Sequence, residues 1–238
     1  METRGASVLV TGAGRGIGRA VALALGRAGA SVMALSRTPS ELDAVVGEIQ
    51  SAGGRAHAFA GDLTNPGVAE RAVAACVVAH GGLHVLVNNA GVGAYGNLAD
   101  TTDETWDRVI ATNLSAVFRL TRAALPHLTQ KGGHVFMISS LAGTNPIAGM
   151  AAYCASKAAL DHLAACLMLE VRQQGVKVTT IAPGSVDTGF GGSPRGPDAS
   201  WMLTGEDVAQ AVLDLLGSRD GAHLSRVEMR PARPQKRV

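Results

Sequence analysis

Aromatic residues make up only 3% of the 238 positions, so the core has to be aliphatic, and hydrophobic residues at 47% can supply it. Charge is also scarce. Charged residues are 17% of the chain and the formal net charge is +2, with Lys and Arg scattered until the last dozen positions. That balance excludes nucleic acid and other polyanions as expected partners. The three cysteines, Cys76, Cys154 and Cys166, are odd in number and lack metal-ligand spacing. They predict free thiols, no metal and a reducing, cytoplasmic setting. Long apolar runs are missing too. No stretch approaches the ~18 residues of a membrane span, and Val8-Leu9-Val10 is too short to be the apolar part of a signal peptide. No linker or low-complexity boundary interrupts the chain, so a single domain over 1–238 is expected, long enough to bury a sizeable core.

What is present is an alternation of short apolar runs and helical periods. Ser7 to Val10 reads as a strand, followed by a glycine-rich turn and a helix from Arg19 that Gly29 stops. Ser31 to Leu35 is a second strand, and Thr38-Pro39 marks an N-cap and first-turn proline for a helix to Ser51. The pattern repeats: strand Arg55 to Ala60, helix Pro66 to His80, strand Leu83 to Val87, one long helix Asp103 to Leu128 with Thr102 as cap, and strand His134 to Ile138. A helix from Ala151 to Gln174, a sixth strand Val176 to Ile181, a helix capped by Thr204 and a last strand His223 to Met229 complete it. Such alternation predicts an α/β fold of Rossmann type: a doubly wound parallel sheet of about seven strands with helices on both faces.

The unusual residues fall at the strand ends. Thr11-Gly-Ala-Gly-Arg-Gly-Ile-Gly18, Ser36-Arg37, Asp62, Asn88-Asn89-Ala90-Gly91, Ser139-Ser140 and Pro183-Gly184 follow the six strands in turn. In an open parallel sheet the carboxyl edge is where ligands bind. Turn chemistry also favours Gly, Asn and Ser there, but six such ends on one edge point to a site. Gly12, Gly16 and Gly18 would let the backbone approach a pyrophosphate and bring it to a helix N-terminus, where unpaired N–H groups favour anions. At the end of strand two an acidic residue would repel a 2′-phosphate, yet Ser36 and Arg37 stand there. With Arg15 in the glycine turn, two guanidiniums can flank a phosphate, which predicts NADP(H) over NAD(H) unless both point into solvent.

Tyr153 and Lys157 lie four apart, hence one helical turn apart on one face. An ammonium beside a phenol is expected to draw its pKa from about 10 toward neutrality. Taken alone, the spacing is more often that of an ordinary amphipathic helix. Asn113, in mid-helix, and Ser140, at a strand end, each also have bland explanations.

Together these motifs resemble the full set of the classical short-chain dehydrogenases/reductases, from Thr11-Gly12-x-x-x-Gly16-Ile17-Gly18 through Asn88-Asn89-Ala90-Gly91, Asn113, Ser140 and Tyr153-x-x-x-Lys157 to Pro183-Gly184. The resemblance runs from Val8 to about Leu216. It implies reduction of a ketone or aldehyde carbonyl by hydride transfer, with Tyr153 as general acid, Lys157 lowering its pKa and holding the nicotinamide ribose, Ser140 orienting the substrate oxygen and Asn113 supporting a proton path. It also implies adenine contacts from Asp62 and Leu63, a central cofactor wall from Asn89, Ala90 and Gly91, and nicotinamide contacts from Pro183, Gly184 and Thr188. A small carbonyl or alcohol substrate and a homodimer or homotetramer are expected.

Two other readings stand beside this one: a non-catalytic NADP(H)-sensing regulator, and a sugar-nucleotide epimerase or dehydratase, for which a second substrate lobe is missing. The ending departs from the T-G-x-x-x-x-V-D-G-G strand of many 3-oxoacyl-carrier-protein reductases, reading His223-Leu-Ser-Arg-Val-Glu-Met-Arg-Pro231, nearer to members acting on small hydroxy acids or general carbonyl compounds. The segment about 189–203 reads as a short substrate loop. In it Phe190, Trp201 and Met202 either close on an apolar substrate or, for Trp201, pack the next helix. The basic tail 230–238 reads as solvated.

Overall fold

The computed structural model of the chain describes residues 2–130, 132–190, 199–219 and 221–233. Seven parallel strands form one sheet in the order β3-β2-β1-β4-β5-β6-β7. They are β1 (Ser7–Thr11), β2 (Ser31–Ser36), β3 (Arg55–Ala60), β4 (Val85–Asn88), β5 (His134–Ile138), β6 (Lys177–Pro183) and β7 (Arg226–Met229). Strands β1 and β5 are buried along their whole length. Both are continuous apolar runs or nearly so, as a strand covered on both faces requires. The sheet separates two aliphatic cores. One packs α1 (Gly16–Arg27), α2 (Pro39–Ser51) and α7 (Gly205–Leu216) on the face that carries Val8, Val10 and Phe136. The other packs α3 (Val68–His80), α5 (Ala116–Leu128) and α6 (Ala151–Val171) on the face that carries Leu9, Leu86 and Val135.

The order reverses between β1 and β4. The chain runs outward from β1 to β3 on one side, then returns and runs outward again from β4 to β7, leaving a crevice between the loops after β1 and β4. Thr11 ties the two halves there: its hydroxyl donates to the Val87 carbonyl and accepts from the N–H groups of Asn89 and Ala90, both at 2.9 Å.

Several expected boundaries move. The helix predicted from Pro66 begins at Val68, strand four starts at Val85 rather than Leu83, and the last strand starts at Arg226 rather than His223. The Thr38 side chain makes no cap bond to α2; instead its N–H donates to the Ser36 hydroxyl at 3.3 Å. The α6 helix ends at Val171, and Arg172–Gln174 tightens into a 3₁₀ turn before Gly175. The largest change is the predicted single helix Asp103 to Leu128. It is two helices, α4 (Asp103–Ile110) and α5, joined through a π-helical turn over Ala111–Ser115 that carries Asn113.

Candidate functional site

A cleft of ≈ 370 Å³ follows the carboxyl edge of the sheet. Every residue expected at the site lines it except Gly18 and Asn113, which stand behind its wall. Gly12 and Gly16 adopt left-handed backbone, φ 63° and 56°. A Cβ on Gly12 would come within 2.8 Å of the Asn89 amide, and one on Gly18 would strike the Gly12 carbonyl. The glycines therefore let α1 and the β4 loop close on the turn. The turn ends at the α1 N-terminus, where Arg15 occupies the cap position without a side-chain cap bond and no acidic residue sits in the first turn. Free N–H groups facing a glycine-lined cleft fit a pyrophosphate. Thr188 packs over this turn, its Cβ 3.1 Å from where a Gly16 side chain would begin.

Beyond the glycine turn, the cleft ends among Ser36, Arg37, Thr38, Asp62, Leu63 and Glu41. Arg15 and Arg37 are exposed. The Arg37 guanidinium is 3.9 Å from Asp62. Burial pushes the Asp62 carboxyl up, but bonds from the Thr64 hydroxyl and N–H, with the Arg37 charge, outweigh it and the net shift is downward. Glu41 was not expected here. Its carboxylate reaches the place a Gly14 side chain would fill, beside the Ser36 hydroxyl, and adds an anion to the end expected to receive a phosphate. A glutamate on the first turn of α2, five residues past the end of β2, carries no sign in the sequence of pointing back into the cleft.

At the other end, Tyr153 and Lys157 share the inner face of α6 and are 8% and 4% exposed. The Lys157 ammonium donates to the Ile138 carbonyl at 2.8 Å and lies 5.7 Å from the Tyr153 ring centroid. Their ionisation departs from the expectation of a phenol made acidic by the lysine. Burial raises the Tyr153 phenol to about 12, against a lowering hydrogen bond with Ser140, and Tyr95 and Cys154 add to the rise. Burial pushes Lys157 down to about 8, with Asp161 acting the other way. The desolvation of both groups exceeds the effect of one on the other.

Ser140 lies two residues beyond β5; its hydroxyl also accepts from the Ala142 N–H at 3.1 Å, which fixes the start of the 3₁₀ turn Leu141–Gly143. The neighbouring Ser139 hydroxyl is buried without a partner. Asn113 is 1% exposed and clamps the cleft wall: its carbonyl accepts from the Val92 N–H at 2.8 Å, and its amide donates to the Val92 carbonyl and to Ser156 at 2.9 and 3.0 Å. Ser156 in turn donates to the Tyr153 carbonyl at 2.7 Å. The wall under Gly91 is thus joined to the helix of Tyr153 and Lys157, a link through Ser156 and Val92 that the motif spacing does not show.

Pro183 ends β6, and the Gly184 N–H donates to the Met229 carbonyl of β7 at 2.8 Å. Phe190 lies over Tyr153, ring centroids 5.6 Å apart. Of the expected substrate loop, 191–198 lies outside the described residues, as does 234–238 of the basic tail. The far end of the loop returns to the β6 exit, where Leu203 exchanges backbone bonds with Ser185 and Asp187 at 3.0 and 2.9 Å.

Fold and cleft define a doubly wound α/β protein with a nucleotide-sized site across the switch point of its sheet. The chain belongs to the short-chain dehydrogenase family, whose profile matches residues 6–196. It is 35% identical over 214 residues to the sepiapterin reductase of Chlorobaculum tepidum, covering 87% of this chain and 88% of that protein. It is 39% identical over 183 residues to the probable oxidoreductase EphD of Mycobacterium tuberculosis, a match covering 76% of this chain but only 31% of that longer protein. Among solved structures, a metagenomic short-chain oxidoreductase in complex with NADP is 38% identical, with a TM-score of 0.86 over 98% of this chain and 100% of the other. Among the described residues no helix is long and apolar enough to cross a membrane.

Proposed function

We propose that the chain is an NADP(H)-dependent oxidoreductase that reduces a ketone or aldehyde to an alcohol, with Tyr153 as proton donor. The observation that carries this reading is the burial of Tyr153 and Lys157 on one face of α6, beside Ser140 and at the opposite end of a cleft from the glycine turn. The NADP complex of the metagenomic relative and the reductase name of the Chlorobaculum relative support it.

In this account Gly12, Gly16 and Ile17 with the α1 N-terminus hold the pyrophosphate. Arg15 and Arg37, with the Ser36 hydroxyl, face the 2′-phosphate. The carboxylates of Glu41 and Asp62 stand at the same end, so the preference rests on bidentate guanidinium contacts to the phosphate rather than on an excess of positive charge. Asp62 and Leu63 border the adenine, while Asn89, Ala90 and Gly91 wall the centre and Pro183, Gly184 and Thr188 border the nicotinamide. The bound cofactor supplies the hydride. The residues supply place and proton: Ser140 donates to the substrate oxygen, and the Tyr153 phenol, protonated at neutral pH, gives that oxygen its proton. The Lys157 ammonium holds the nicotinamide ribose and stabilises the phenolate left behind.

Consumption of NADPH and NADH across a panel of aldehydes, ketones and the corresponding alcohols tests the reading. It predicts turnover with kcat/KM higher for NADPH, and a collapse of that preference on Arg37→Asp. A preference for NADH, or a ratio unchanged by Arg37→Asp, contradicts the phosphate assignment.

A further inference from the structure

Asp161 stands one turn beyond Lys157 on α6, and its side chain is 10% exposed. One oxygen, Oδ2, accepts from Arg226 Nη1 of β7 at 2.8 Å; the other, Oδ1, is buried without a partner. The same carboxylate lies against the turn that follows Ser140. A Cβ on Gly143 would come within 2.6 Å of Oδ2 and 3.2 Å of the Lys157 carbonyl, so the missing side chain lets this turn rest between the two residues. With the Arg226 side chain 33% exposed the pair is only half-buried, and such a pair is a weak source of stability, because solvent screens its attraction and desolvation of the enclosed carboxylate offsets what remains. An unpartnered carboxylate oxygen is a further cost. What an apolar replacement lacks is charge, and one turn away Lys157 is a buried cation whose hydrogen bond goes to the neutral Ile138 carbonyl.

We propose that Asp161, held by Arg226, is a positioning residue of the active site: it supplies the negative charge that balances the buried Lys157 ammonium and seats the loop that carries Ser140. The downward push of burial on Lys157, opposed by Asp161, agrees with this. The charged groups around the pair are Arg226 and Glu228 from β7, with Glu228 bonded to Arg226 at 3.4 Å and to Arg230 at 3.0 Å, and Lys157 itself on α6. The C-terminal strand, where the chain leaves the more common family ending, thereby enters the electrostatics of the site. Its consequence for turnover rests on the proposed function; the ionisation of Lys157 does not.

The experiment is a titration of the unliganded protein carrying ¹³Cε-labelled lysine, followed by NMR. The chain has four lysines, Lys131, Lys157, Lys177 and Lys236, and the Lys157 signal is assigned by its loss in Lys157→Arg. Asp161→Asn should lower the Lys157 midpoint by about one pH unit, Asp161→Glu should restore most of it, and Arg226→Gln should move it upward. In turnover assays the alkaline limb of kcat/KM should follow in the same directions. Opposite shifts from the two partners are not expected of a merely structural clasp. A Lys157 midpoint unmoved in Asp161→Asn overturns the proposal. Should that variant not fold, a midpoint unmoved or lowered in Arg226→Gln does so. If no carbonyl is turned over, the proposed function fails while the titration still decides this one.

Discussion

At Gly12 and Gly18 the site depends on atoms that are absent. Gly18→Ala would place a methyl group against the Gly12 carbonyl and the Asn89 amide, neither of which can move without reopening the junction between β1 and β4. Nucleotide affinity should fall by tenfold or more, about 1.4 kcal/mol, read by calorimetric titration with NADPH; unchanged affinity would contradict the role of the turn as a cradle. The glycine spacing and the Tyr153/Lys157 pair were legible in the sequence because each carries its own geometry, a left-handed turn or a helical period. Their ionisation was not. A four-residue spacing shows that an ammonium and a phenol are neighbours, but not that both are buried deeply enough for desolvation to push the phenol up to about 12 and the lysine down to about 8. Glu41 was missed for a related reason: nothing in its helical position says that Gly14 leaves room for it.

Among the elements, the π-helical turn between α4 and α5 decides where Asn113 points. A hydrophobic period of 3.6 continues through it, so the pattern from Asp103 to Leu128 reads as one helix, and the extra residue of the turn is invisible to periodicity. The strands were easier to read, because runs such as Val8-Leu9-Val10 between glycines have few alternatives. Asn113→Ala leaves the Val92 N–H and carbonyl without their partners and Ser156 without its donor. Loss of about 2–4 kcal/mol of stability is expected, measured by urea denaturation, and activity should fall with it because the wall beneath Gly91 loosens. The α7 helix makes a simpler case. Its start carries a capping box in which Thr204 and Asp207 bond each other's backbone. Thr204→Ala should cost about 1 kcal/mol, a drop in Tm with kcat unaltered, and a loss of nucleotide affinity instead would mean that the cap also shapes the site.

For the whole molecule, the loss of stability in acid follows from imidazoles folded in neutral form. His134 is buried against Thr179, 2.9 Å away, and stacks on Phe136. Burial, with the positive charges of His223 and Lys177, pushes its pKa down to about 3. The unfolded chain binds that proton near pH 6.5. The stability His134 contributes is therefore intact above about pH 6.5 and is lost as pH falls from there toward 3. His80, lowered to about 4 chiefly by burial, acts in the same sense. Denaturant midpoints should decline steadily from pH 6.5 to pH 4, and His134→Gln, which keeps a partner for Thr179, should flatten that decline; an equal slope in the variant would show that another group governs it. The assignment of chemistry to this fold rests in the end on Tyr153. The most direct measurement is NADPH binding and carbonyl reduction in Tyr153→Phe side by side. The account predicts nucleotide affinity within about twofold of the parent chain and turnover reduced by about 10²-fold or more. Turnover near that of the parent would contradict it.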